Sequence, residues 1–384
     1  MDNKPIRVAQ VVGKMCGGGV EAVIMNYYRN IDKSKVQFDF IVDEDSTLVP
    51  QEEIEQMGGR VFYVPPYQKL TKYISALKKI FKENNYKIVH SHMNTLSIFP
   101  LFVAKIASIP IRIAHNHSTA GKGEFKRNII KYTLRAFAKI FPTHYFACSE
   151  YAGKWLFGKK FYNKGKVKVI NNAIDAEKFH YSQETREQLR KEMGLEDKFV
   201  IIHIGRFMKQ KNHHFVLEIF NEIQKKYPNS ELLLVGTGPL FEEIEQKVQA
   251  LKLQDKVSFL GNRNDVNELL CAADVFLLPS LYEGLPVVSM EAQASGIKMI
   301  ASDRITKECW ITEYIEFKNI EETPQMWADA VLKYKDGYYR RDTSEDIKRA
   351  GFEISTEVKK LEEYYCIMAG EKLEEVKEYS NINV

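Results

Sequence analysis

The sequence predicts an α/β protein of two doubly wound parallel sheets facing a central cleft, and three observations predict it. Short apolar runs alternate with longer amphipathic stretches, the signature of βαβ units. The alternation pauses in a polar, charged segment, residues 175–195, and then restarts. A length of 384 residues suits two domains that each bury a sizeable core. In the first half, strands are expected at 6–12, 38–42, 61–64, 88–91, 111–115 and 145–148. Between the first two, apolar residues at 20, 23, 24, 27, 28 and 31 mark one face of a helix. In the second half, strands are expected at 200–204, 232–235, 257–260, 275–278 and 299–301. The expected domains are 1–175 and 176–345, followed by a helical segment, 346–384, rich in Tyr, Glu and Lys.

Composition bounds the class. Apolar content of 45% and charged content of 28% are ordinary for a soluble chain, and a net charge of +4 is mild. Five cysteines (Cys16, Cys148, Cys271, Cys309, Cys366) are scattered without a CxxC pair, which argues for a reducing compartment and no structural zinc. The first residues enter a strand and do not read as a signal peptide. No apolar run approaches the ~20 residues that span a bilayer. A cytoplasmic protein is expected.

The most informative stretch is Tyr282-Glu-Gly-Leu-Pro-Val-Val-Ser-Met-Glu291. Pro286 suits the first turn of a helix and Gly296 a position just past its end. That puts Glu283 in the loop after an apolar strand and Glu291 on the second helical turn. On one unbroken helix the two would lie about 12 Å apart. A loop position for Glu283 instead lets both carboxylates face one ligand at the carboxyl edge of a parallel sheet. Two such acceptors can each hold a pair of sugar hydroxyls, and the amides of Gly284 and Leu285 can meet an anion. Without a shared ligand, the pair is an exposed loop Glu and a helix Glu.

A second constellation is His203-Ile-Gly-Arg-Phe-Met-Lys-Gln-Lys-Asn212. Gly205 permits a tight exit from the strand, with Arg206 and Lys211 five residues apart around it. Fixed cations of this kind stabilise a departing diphosphate without a metal; otherwise they are solvated surface charge. Two glycine turns complete the set. Val12-Gly-Lys-Met-Cys-Gly-Gly-Gly-Val-Glu21 precedes an amphipathic helix, and Gly236-Thr-Gly-Pro239 follows a strand. Gly13, Gly17, Gly18 and Gly19 do not have G-x-G-x-x-G spacing, so each turn is either a ligand contact or a structural bend.

Taken in order, Gly18-Gly-Val-Glu21, His90-Ser-His92, His115, Val169-Ile-Asn-Asn-Ala-Ile-Asp175, Gly205-Arg206 with Lys211, Gly236-Thr-Gly238 and Glu283 through Glu291 resemble glycosyltransferase family four. The resemblance covers roughly residues 5 to 365 and is closest to members that build capsular and exopolysaccharides. It implies the GT-B fold: two Rossmann-like domains around a cleft, with C-terminal helices crossing back to the first. It implies a retaining, metal-independent transferase without a cofactor, using a nucleotide-sugar donor (UDP-linked by expectation) and a glycan or lipid-linked saccharide acceptor. Arg206 and Lys211 would bind the diphosphate, Glu291 the ribose and Glu283 the transferred sugar. Gly284 and Leu285 would hold phosphate and sugar, Asn262 would face the base, and Gly18, Gly19 and Gly236 would border the donor. His115 would contact the donor sugar near the reacting carbon. Two departures stand out: Ala173 replaces a common glycine, and Arg304-Ile-Thr-Lys-Glu308 lacks the usual Gly-Gly-x-x-Glu turn.

Between Lys122 and Lys168, twelve Lys or Arg face two acids, Glu124 and Glu150. Residues 125–140 read as a basic amphipathic helix with apolar residues at 125, 129, 130, 134, 137 and 140. Its apolar stripe either packs on a core or lies on an anionic membrane, which makes peripheral contact with the inner face of the plasma membrane a candidate partner interaction. Nucleic acid is not expected, since no RNA or DNA motif accompanies the charge. The expected function is transfer of a sugar in cell-surface polysaccharide biosynthesis. The alternatives are a sugar-nucleotide epimerase of the same fold and a catalytically silent partner subunit.

Overall fold

Two parallel sheets organise the chain in a computed structural model that describes residues 4–119 and 125–370. The first holds β1 (Ile6–Gly13), β2 (Val36–Asp43), β3 (Arg60–Val64), β4 (Ile88–Ser91), β5 (Ile111–Asn116), β6 (His144–Ala147) and β7 (Val167–Val169). The second holds β8 (Phe199–Ile204), β9 (Ser230–Val235), β10 (Val257–Gly261), β11 (Val275–Leu278), β12 (Lys298–Ser302) and β13 (Ile315–Lys318). Their orders are β3-β2-β1-β4-β5-β6-β7 and β10-β9-β8-β11-β12-β13. All the pairings are parallel. In each sheet the winding reverses once, between β1 and β4 and between β8 and β11. Loops leaving the carboxyl ends there part and open a crevice, the usual ligand site of this architecture.

Each of the eleven expected strands is present to within two residues at either end. Two edge strands, β7 and β13, were not expected. β7 has three residues and an exposed Lys168, and β13 is half-buried beyond its first residue, so neither has the continuous apolar run of a buried parallel strand. The first helix, Gly19–Asn30, falls where the apolar spacing put it.

The basic helix departs from expectation. It runs Phe125–Arg135 and gives way to turns before residue 140. Ile129, Ile130, Phe137 and Ile140 are 53%, 56%, 45% and 53% exposed, so the core-packing option fails for them, whereas Ala138 is buried.

Two strands of connection cross between the domains side by side. Ile174 and Glu353 form a parallel bridge, the Ile174 amide donates to the Phe352 carbonyl at 2.9 Å, and the Ile354 amide donates to the Ile174 carbonyl at 2.9 Å. Asn171 Nδ2 adds a bond to the Gly351 carbonyl at 2.8 Å. Ala173 is fully buried in this zipper. The last described helix, Ile354–Ala369, then packs on Gly19–Asn30 and β1, so the chain returns to the first sheet. It carries the wholly buried Tyr365 against Phe38 and His90. Residues 371–384 of the expected C-terminal segment lie outside the described residues.

Candidate active site

At the reversal of the second sheet, charge is concentrated and paired. The loop after β8 turns at Gly205, where a Cβ would stand 2.9 Å from Lys211 Cδ; glycine lets the lysine stem lie along the backbone. Lys211 Nζ meets Glu283 Oε1 at 2.7 Å, and Gln210 Nε2 donates to Glu283 Oε2 at 2.9 Å. Both ends of the ion pair are mostly buried, at 15% and 9% side-chain exposure, so its charges interact through a low-dielectric medium. Glu283 is in the loop, and its backbone bridges Ile305. The following helix is Val287–Ala294, with Pro286 at its N-cap, one residue ahead of the expected first turn. Gly296 takes a left-handed φ of +62° just past its end. Glu291 is the fifth helical residue. Burial pushes its carboxyl up to about 7, against the pull of Lys178 and Lys211. Lys211 therefore joins the two glutamates, paired with one and felt by the other.

The neighbouring glycines have steric reasons. Gly236, at φ +128°, would place a Cβ 2.4 Å from the Gly205 carbonyl oxygen, and Gly238 one 2.5 Å from that of Phe207. The Gly236 amide donates to the Gly261 carbonyl at 2.7 Å, which occupies it. Gly236 thus lets the loops after β8, β9 and β10 meet. Asn262 is exposed beside Thr237, their side chains 3.2 Å apart at closest.

Across the crevice, the glycine loop after β1 is shaped from within. Glu21 Oε2 accepts the amides of Cys16, Gly17 and Gly18 at 2.9, 2.6 and 2.9 Å. Of the two readings of this turn, ligand contact or structural bend, these three amides fit the bend, since a carboxylate already holds them. Burial raises the Glu21 pKa, with the three amides opposing. Glu21 sits at the third helical residue, where a capping-box glutamate belongs, and that pattern in Gly18-Gly-Val-Glu21 was the available signal. Arg206 is exposed and its charge acts on both Glu21 and Lys14, so it faces this loop from the second domain.

The domains touch around these groups. A Cβ on Gly284 would fall 2.8 Å from the His117 carbonyl oxygen, and one on Gly19 would sit 3.7 Å from Val287 Cγ2. Asn172 Nδ2 donates to the carbonyl of buried Leu285 at 2.9 Å. Glu308 accepts the amides of Glu150 and Tyr151 at 3.0 and 2.9 Å, tying the segment after β12 to a helix start in the first domain. Gln210, Asn172 and Glu308 lie in stretches the sequence singled out, but no local signal gave them these contacts, because their partners are far away along the chain.

His115 belongs to a buried cluster. His90, His92, His115 and His117 are 1%, 6%, 2% and 6% exposed. His90 Nε2 faces His115 Nδ1 at 3.1 Å, and His92 Nδ1 faces His117 Nε2 at 2.9 Å. Burial holds the first three well below the usual histidine range and His117 at about 3, the latter despite Asn172. All four are neutral near pH 7. Nitrogens of His90, His92 and His115 lie within 4.8 Å of one another, a spacing open to an ion, but the facing pairs already serve each other as donor and acceptor.

The sequence matches two family profiles, one described as Glycosyltransferase Family 4 over residues 17–178, the other as Glycosyl transferases group 1 over 185–351. EpsF of Bacillus subtilis (strain 168), which carries a glycosyltransferase name, is 35% identical over 340 residues, 87% of this chain and 88% of EpsF. The chain belongs to glycosyltransferase family four. A further relative of this glycosyltransferase, from Escherichia coli, is named UDP-Gal:alpha-D-GlcNAc-diphosphoundecaprenol alpha-1,3-galactosyltransferase. It is 27% identical over 389 residues, 96% of this chain and 98% of its own. The fold matches HepE of Anabaena, solved in complex with UDP and glucose, at a TM-score of 0.77 and 19% identity over 94% of this chain and 99% of that one. WaaG, a glycosyltransferase of lipopolysaccharide biosynthesis, gives a TM-score of 0.69 at 14% identity, covering 95% and 98%. The architecture is therefore GT-B.

Proposed function

We propose that this glycosyltransferase moves a sugar from a UDP-linked donor to a lipid-linked saccharide during cell-surface polysaccharide synthesis, with retention and without a metal. The observation that carries the reading is the buried Lys211–Glu283 pair beside Glu291 at the sheet reversal. Lys211 and Arg206 take the donor diphosphate, Glu291 accepts from the ribose hydroxyls, and Glu283, oriented by Gln210, accepts from hydroxyls of the transferred sugar. As the bond between the anomeric carbon and the β-phosphate oxygen breaks, negative charge grows on that oxygen beside two fixed cations. The acceptor hydroxyl attacks the same face of the anomeric carbon and gives its proton to the departing phosphate. His115, by resemblance, contacts the donor sugar. The cations supply the charge stabilisation for which other transferases use a divalent ion.

Two observations support the acceptor class. The Escherichia coli relative acts, by its name, on a diphosphoundecaprenol-linked sugar. Ile129, Ile130, Tyr132, Phe137 and Ile140 stand exposed within the strongly basic segment 122–168, a surface suited to an anionic bilayer at the inner face of the membrane. The test is a chelator-treated assay with UDP-sugars and undecaprenyl-diphosphate saccharides in anionic vesicles. Product formed only with acceptor, and vesicle binding lost in Ile129→Ser/Ile130→Ser, is expected. Sugar conversion without acceptor would replace transfer by epimerisation, and activity abolished by chelation would refute the metal-free site.

A further inference from the structure

The histidine cluster forms one continuous hydrogen-bonded chain that passes through Tyr365 of the helix Ile354–Ala369. Gln10 and His90 are register partners on β1 and β4. The side chains of Gln10, His90, His92, His115 and His117 meet at the carboxyl edge of the first sheet, through the bonds that follow. His92 Nε2 lies 2.8 Å from Gln10 Oε1, and Gln10 Nε2 donates to Tyr365 Oη at 3.1 Å. Tyr365 Oη in turn lies 2.6 Å from His90 Nδ1. The order is His117, His92, Gln10, Tyr365, His90, His115, and both ends sit two residues apart on one segment. That segment is the one whose His117 carbonyl abuts Gly284 of the donor loop.

A neutral imidazole has one donor and one acceptor, so each link dictates the next. The Gln10 carbonyl can only accept; His92 therefore carries its hydrogen on Nε2, and its Nδ1 accepts from His117 Nε2. The Gln10 amide can only donate, so the Tyr365 hydroxyl gives its hydrogen to His90 Nδ1. His90 then donates from Nε2 to His115 Nδ1, which leaves the hydrogen of His115 on Nε2, a buried atom with no hydrogen-bond partner among the described residues. We propose that Tyr365 is a positioning residue, holding His90 and His115 in a single tautomer, while Gln10 does the same for His92 and His117. The amide interrupts any proton relay, so the chain fixes orientation and does not move protons. Its relevance to turnover rests on the reading of His115 as a sugar contact; the tautomers themselves do not.

The experiment is a long-range proton–nitrogen correlation spectrum of the full chain labelled with 15N-histidine, for the wild type and Tyr365→Phe. In the wild type, all four histidines should share one tautomer, with hydrogen on Nε2. In Tyr365→Phe, which keeps the ring, His90 and His115 should lose that single state while His92 and His117 keep it. A wild type whose four histidines are split between tautomers, or a Tyr365→Phe spectrum unchanged at His90 and His115, would overturn the proposal. In the activity arm, kcat of Tyr365→Phe should fall roughly 10- to 100-fold with little change in donor KM. If His115→Ala keeps full activity, the sugar-contact reading fails, and the spectra still decide the chain.

Discussion

At the reversal between β8 and β11 the groups lining the crevice are charged: Lys211 against Glu283, Glu291 and the exposed Arg206. At the reversal between β1 and β4 they are neutral or self-satisfied: four buried histidines, and a glycine loop whose amides Glu21 holds. One topology thus carries two kinds of chemistry. The second domain keeps charge ready for an anionic ligand, whereas the first spends its polar groups on one another to hold a shape. Fold alone would not have distinguished them.

The sharpest way to break this contrast is Lys211→Ala. Removing one partner of a mostly buried pair strands the Glu283 carboxylate, and about 3–5 kcal/mol of stability should go with it. kcat should drop about 100- to 1000-fold, as when a preorganised charge-stabilising group is lost. A folded variant with wild-type turnover would place the chemistry elsewhere.

The buried histidines and Glu291 should answer acid in opposite senses. His90, His92, His115 and His117, with His203 and His213 of the second domain, have folded pKa values below their ordinary 6.5. The unfolded chain therefore binds more protons below pH 6.5, and each group costs up to about 1.4 kcal/mol per pH unit as acidity rises. Glu291 runs the other way: its pKa rises from 4.5 to about 7, so its contribution is present below 4.5 and lost as pH rises to 7. Burial raises Glu21 and Asp43 in the same sense as Glu291, but six histidines outnumber these three carboxyls, so melting temperature should fall from pH 6.5 to 5. A flat profile would mean that the cluster is not neutral and buried.

Glu291 offers a smaller, more specific effect. If its ionised form accepts from the ribose, donor affinity should increase as pH rises through about 7, and Glu291→Gln should remove that dependence. Arg206→Ala should do least to the protein. It is exposed, so melting should be unchanged, while donor KM rises roughly tenfold through loss of a charge-assisted contact.

Much of this was readable from local pattern. Runs of three to seven residues placed eleven strands, and the spacing from Glu283 to Glu291 placed one glutamate in a loop and the other on a helix. What escaped was set by distance or by context. β7 and β13 are edge strands with little burial to mark them. The pairs His90/His92 and His115/His117 show period-two spacing in the chain, but only strand register and a helix whose Tyr365 lies 275 residues beyond His90 join them. The stripe at 129, 130, 137 and 140 was visible as amphipathic; its exposure among the described residues was not, because periodicity reports a face and not its neighbour.

The most direct test of the central claim, that Lys211 and its glutamates form a metal-free nucleotide-sugar site, is calorimetric titration of UDP into wild type and Lys211→Ala under chelator. The account predicts binding to the wild type and affinity at least about tenfold weaker in the folded variant. Equal affinity in the two proteins, or wild-type binding that disappears with chelation, would contradict it.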